Sequence, residues 1–92
     1  MTSKQVIFRG RVQGVGFRYH TKQIALGFEV VGWVRNRNDG TVELQVMGEE
    51  EEVSGFIEEI AGESELAPLI KDYEICGIEP LENCRGFRIL GG

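Results

Sequence analysis

Gly10-Arg11-Val12-Gln13-Gly14-Val15-Gly16-Phe17-Arg18-Tyr19 separates an apolar run from a segment with helical spacing. It reads as the junction between a first strand and a first helix. Gly14 and Gly16 accept backbone angles, φ > 0 included, that a residue with a Cβ resists. Such a turn can aim consecutive N–H groups inward as an anion-binding nest. The first N–H groups of the helix beyond have no partner inside it, and its dipole is positive there. Arg18 stands at that junction with a planar fork of donors suited to phosphate oxygens. The stretch therefore predicts a small phosphate cradle of backbone N–H groups plus one guanidinium. A tight turn beside an incidental arginine is the simpler alternative, since short glycine motifs recur widely. A dinucleotide fingerprint needs glycine where Tyr19 stands, and a P-loop needs Gly-Lys-Ser/Thr, which is absent. The expected ligand is smaller than a nucleotide.

Outward from this junction, Gln5 to Val12 is rich in strand formers and predicts a first strand. Val6, Phe8, Gly10 and Val12 share one face, and Arg9 and Arg11 face solvent on the other. Phe17, Thr21, Ile24, Ala25 and Phe28 form one helical stripe, predicting a helix from about Arg18 to Phe28 whose last turn Gly27 weakens. Val30 to Asn36 is a second strand. Asn38-Asp39-Gly40 carries hairpin chemistry, and Thr41 to Met47 alternates as a third strand that buries Val42, Leu44 and Val46. Glu49 to Glu52 suit the positive end of a second helix, which buries Val53, Phe56, Ile57 and Ile60 and which Gly62 closes. After a loop from Glu63 to Pro68, residues 69–78 contain a fourth strand with uncertain edges. A turn over Pro80–Arg85 leads to a short last strand over Gly86–Leu90. The order β-α-β-β-α-β is the split βαβ, ferredoxin-like α+β plan, with a four-stranded antiparallel sheet, two helices on one face and a short extra C-terminal strand. Fold alone decides little about function.

Ninety-two residues suffice for a single domain, 1–92, with one modest core. The net charge is −5, unevenly spread: residues 1–28 hold five basic and no acidic side chains, and residues 29–92 hold five basic and fifteen acidic ones. Such a chain repels nucleic acid and anionic membranes, while the basic spot around the glycine loop can attract one small anion. No apolar run is long enough to span a membrane, and Met1-Thr2-Ser3-Lys4 leads straight into a strand without a signal peptide. A cytoplasmic protein follows as the expectation, with Cys76 and Cys84 as reduced thiols. Two cysteines and one histidine are too few for a structural zinc site without carboxylate help.

Familiar catalytic sets are missing. Neither cysteine has an arginine six residues on, no Asp-x-Asp acceptor exists, and no Ser-His-Asp set suggests itself. His20, the lone histidine, is turned about 200° from Arg18 on the helix and is expected to face solvent. Asn36 remains, at the end of the second strand. Its usual role is in the turn; the other is to hold a water with its amide, near the glycine loop.

Gly10 to Arg18, then Gly32-Trp33-Val34-Arg35-Asn36, then Gly40, Val42 and Gly48 resemble the two signature stretches of the acylphosphatases. The likeness extends over nearly the whole chain, including the Phe87-Arg88-Ile89 ending. Phe8 replaces a usual aliphatic residue, Glu29 a frequent glycine, and residues 63–86 match weakly. The resemblance implies hydrolysis of acyl phosphates to a carboxylate and inorganic phosphate, with no metal or cofactor. It assigns phosphate binding to Arg18 and to the amides of Gly14, Val15, Gly16, Phe17 and Arg18, and the nucleophilic water to Asn36. The implied partners are a small acyl phosphate and inorganic phosphate as product and inhibitor, with no nucleic acid, no membrane, and a monomeric chain. An RNA-binding module on an aromatic sheet face and an anion sensor without turnover are the other readings.

Overall fold

The computed structural model describes residues 1–91. Its elements are β1 (Thr2–Gly10), α1 (Phe17–Ala25), β2 (Val30–Asn36), β3 (Val42–Gly48), α2 (Glu50–Glu58), β4 (Ile70–Gly77) and β5 (Phe87–Ile89). A π-helical turn, Glu59–Glu63, extends α2, and a 3-10 turn, Ala67–Leu69, precedes β4. The strands form one sheet in the order β4-β1-β3-β2-β5. The pairs of β1 with β3 and β4, and of β2 with β3, are antiparallel. The ferredoxin-like plan holds, with one correction. β5 does not stand apart from a four-stranded sheet; it joins as a fifth strand, parallel to β2, pairing Gly32 with Phe87 and Val34 with Ile89.

Register decides what meets at one end of the sheet. Val42 of β3 pairs with Phe8 on one side and with Asn36 on the other. The exits of β1 and β2 therefore flank the start of β3, and the loop after β1 approaches Asn36. Alternation along the strands carries the core: Val6, Phe8, Val34, Val42, Leu44 and Val46 are fully buried against Phe17 of α1 and Val53 and Phe56 of α2. Phe17 tilts onto Phe8 at 5.2 Å between ring centroids, which anchors the first residue of α1 to the sheet.

Several boundaries differ from the sequence reading: β1 begins at Thr2 rather than Gln5, and β3 and β5 shift by one residue at their ends. β1 ends at Gly10 rather than Val12, because its register with β4 shifts between Arg9 and Gly10. Gly10 has φ 132° there, and a Cβ would collide with the Leu69 carbonyl. It is exposed rather than core-facing, while Val12 remains buried beyond the strand. Arg9 is half-buried and paired with Asp72 and Glu74 at 2.9 and 2.8 Å. α1 ends at Ala25, and the amides of Leu26, Gly27 and Phe28 tighten to bonds three residues back. The regular part of α2 ends at Glu58, and Gly62 sits inside the π-helical turn that keeps Ile60 buried. No described helix is long and apolar enough to cross a membrane.

Candidate active site

The loop after β1 adopts the backbone that its glycines allow. Gly14 and Gly16 have φ 76° and 77°, both left-handed. A Cβ at either would meet no atom within 4 Å, so glycine serves there for its angle rather than for space. Gly16 is the N-cap of α1, which has no side-chain cap and no acidic residue in its first turn. Nothing on the helix itself offsets the positive end of its dipole.

Arg18 is half-buried in that first turn. Its Nη1 donates to the carbonyl of Leu90 at 2.8 Å, just beyond β5. The fifth strand thus holds the guanidinium by one corner, and no carboxylate pairs with Arg18 among the described residues. Asn36 closes β2 with its Oδ1 buried and without a hydrogen-bond partner among the described residues. The Thr21 hydroxyl is in the same condition, and an unpaired buried polar group costs roughly 1–3 kcal/mol.

These groups meet. One cavity of about 250 Å³ is lined by Gly14, Gly16, Arg18 and Asn36, with Val12, Phe17, Tyr19 and Ile89 completing its walls. The sequence-predicted residues Arg18 and Asn36, 18 positions apart in the chain, face one space. Val15, between the two glycines, is exposed and does not line the cavity. His20 is half-buried and does not line the cavity. Cys76 and Cys84 are free thiols, exposed and half-buried respectively. No cluster of three metal-ligating side chains occurs among the described residues.

Gln13, Ile89 and Leu90 escaped the sequence reading. Gln13 Nε2 donates to the carbonyls of Arg37 and Thr41 at 2.8 and 2.9 Å, which ties the glycine loop to the hairpin beyond Asn36. Its position beside Gly14 was the only signal, because both partners lie more than twenty residues on. Ile89 and Leu90 were assigned to a terminal strand with no part in the site. The hairpin itself is closed by Asp39, whose Oδ1 accepts from the Thr41 hydroxyl and amide at 2.6 and 3.0 Å. The hydroxyl first, then the amide, holds the Asp39 carboxyl below its ordinary value.

A ferredoxin-like sheet with a left-handed glycine loop, one guanidinium and one orphaned amide around a small cavity defines an α+β protein with room for a small anion. The comparisons narrow the class. A model of the acylphosphatase family matches residues 4–89. The acylphosphatase of Lacticaseibacillus paracasei is 38% identical over 97% of this chain and 96% of its own. That of Geobacillus kaustophilus is 39% identical over 100% and 97%. The crystal structure of acylphosphatase from Bacillus subtilis superposes with a TM-score of 0.87 at 35% identity, covering 99% of this chain and 100% of that one. Full-length HypF in a phosphate- and nucleotide-bound form matches 98% of this chain over 12% of its own, with a TM-score of 0.81 and 29% identity. The chain belongs to the acylphosphatase family. It is a hydrolase of acyl phosphates.

Proposed function

We propose that the cavity between the glycine loop and Asn36 is where this hydrolysis occurs. The substrate phosphate sits on the amides of Gly14 to Arg18 with the Arg18 guanidinium across its oxygens. Asn36 holds the attacking water through its amide. Water adds to phosphorus as the bond from phosphorus to the acyl oxygen breaks; the bond pair leaves with the carboxylate, and both water protons end on phosphate. A carboxylate is a good leaving group, so the reaction needs no strong general acid. Phosphoryl transfer of this loose kind asks chiefly for positioning and charge stabilisation. Preorganised donors at the equatorial oxygens supply both. The substrate's own phosphate oxygens accept the water's proton, which accounts for a site whose only ionisable catalytic side chain is Arg18.

The observation that carries this reading is the convergence of Gly14, Gly16, Arg18 and the unpartnered Asn36 Oδ1 on one cavity. The purified protein should hydrolyse benzoyl phosphate, followed by absorbance, at full rate in EDTA, with inorganic phosphate as a competitive inhibitor. Activity lost in EDTA and restored by magnesium or zinc would refute the metal-free mechanism.

The same reading takes the protein as one domain over residues 1–92, monomeric, cytoplasmic and without nucleic-acid or membrane partners. One contiguous core among the described residues supports the single domain. The net charge of −5 opposes polyanion binding.

A further inference from the structure

The cradle reading leaves half of the cavity unexplained. Gly14, Gly16, Arg18 and Asn36 serve the phosphate and the water. The rest of the lining is Val12, Phe17, Tyr19 and Ile89. Val12 and Phe17 are buried and belong to the core. Tyr19 and Ile89 do not: they are 65% and 37% exposed. A tyrosine this exposed, one residue after the phosphate-binding arginine, has no packing role in the fold. Apart from Arg18, no charged side chain among the described residues lines the cavity.

We infer that Tyr19 and Ile89 form the wall that receives the acyl group, and that the preferred substrates carry a compact, uncharged, apolar or aromatic acyl chain. This inference rests on the cradle reading above. Once the phosphate is seated on the loop, the remaining surface offers an acyl group only apolar contact. An aromatic ring gains from the face of Tyr19. An acetyl group is too small to cover both walls. An acyl chain ending in a second carboxylate finds no cation in this lining other than Arg18, which the phosphate already occupies, and gains nothing from the apolar wall. Tyr19 is thus a specificity residue of the known reaction.

The test compares benzoyl, acetyl and succinyl phosphates on the wild type and on Tyr19→Ala and Tyr19→Phe, with inhibition by inorganic phosphate measured on each protein. Because Tyr19 is exposed, both variants should fold. The benzoyl-to-acetyl ratio of kcat/KM should fall about tenfold in Tyr19→Ala, the scale of one apolar contact in a pocket. The loss should lie mainly in KM, as for contacts made equally in ground and transition states. Tyr19→Phe should keep the wild-type ratio, since the ring body acts and not the hydroxyl. Succinyl phosphate should be the poorest of the three on the wild type. Phosphate should inhibit all three proteins alike. If Tyr19→Ala leaves the ratio unchanged while phosphate still inhibits, the cradle stands and the acyl wall is overturned. If the wild type hydrolyses none of the three and phosphate does not bind, the cradle reading fails and this inference falls with it.

Discussion

The two helices start in opposite ways. α2 opens with Glu50, Glu51 and Glu52 in its first turn, and Glu50 is itself held by the hydroxyls of Ser54 and Thr2 at 2.8 and 3.0 Å. Its positive end is answered within the protein. α1 opens with a left-handed glycine, no acidic residue and an arginine. Its positive end is reinforced rather than neutralised. Neither start has a side-chain cap bond, so charge, not capping, separates them. The first helix gives up the stabilisation that acidic residues would supply, roughly 0.3–1 kcal/mol each, and the proposed function assigns its N-terminal donors to the substrate phosphate. The hairpin opposite adds an amide oxygen with no partner of its own.

The largest way to break this contrast is Arg18→Ala. In the proposed function Arg18 contacts phosphate in both ground and transition states, so KM should rise while kcat falls by about 10²–10³-fold. Arg18→Lys should not rescue it, because a point charge lacks the fork. A lysine variant with near wild-type kcat/KM would show that the bidentate role is wrong. Next comes Asn36→Ala, which should lower kcat by about 10²-fold with KM and phosphate inhibition unchanged, as for a group that acts only in the transition state. Thermal unfolding on the same samples separates this from a turn residue: a less stable protein with ordinary kcat would remove Asn36 from the mechanism.

His20→Glu makes the start of α1 resemble that of α2. The helix should gain about 0.3–1 kcal/mol, read as a higher Tm, while phosphate inhibition weakens several-fold. Unchanged inhibition would mean that the dipole end plays no part in the cradle. The smallest effect belongs to α2. Hydrogen bonds from Ser54, then Thr2, hold the Glu50 carboxyl below its ordinary value. A lowered folded-state value contributes stability above the unfolded value, which is lost as pH falls through the folded one. Thr2→Val with Ser54→Ala should raise the Glu50 titration midpoint, seen by NMR, towards the ordinary carboxylate range. Tm should fall slightly at neutral pH and not in strong acid, with kcat untouched throughout. A fall in kcat would contradict the division of labour between the two helix starts.

Local chemistry made much of this readable in one dimension. Val42, Leu44 and Val46 alternate and are all buried; Val53, Phe56, Ile57 and Ile60 keep helical spacing and are all buried. The β2 boundaries, Val30 and Asn36, came out as expected, because the Asn38-Asp39-Gly40 turn limits the strand. Misplaced boundaries lay where a distant segment decides. β1 stops at Gly10 because the Leu69 backbone crowds it. β4 was blurred because it is an edge strand whose exposed Tyr73 and Ile75 weaken the alternation. The two-motif likeness made the family readable and singled out Arg18 and Asn36, which line one cavity, but Gln13's reach to the hairpin had no local signature.

By itself the sequence determined the element order, the core faces and the left-handed glycine loop, since each depends on neighbours within a few residues. Tertiary structure alone decided that β1 and β2 both pair with β3 at Val42, which brings Asn36 to the loop. It also decided that β5 joins the sheet, that Leu90 steadies Arg18, and that Tyr19 and Ile89 face the same cavity. Those facts depend on strand register and on hydrogen bonds between residues far apart in the chain, where no short-range propensity acts.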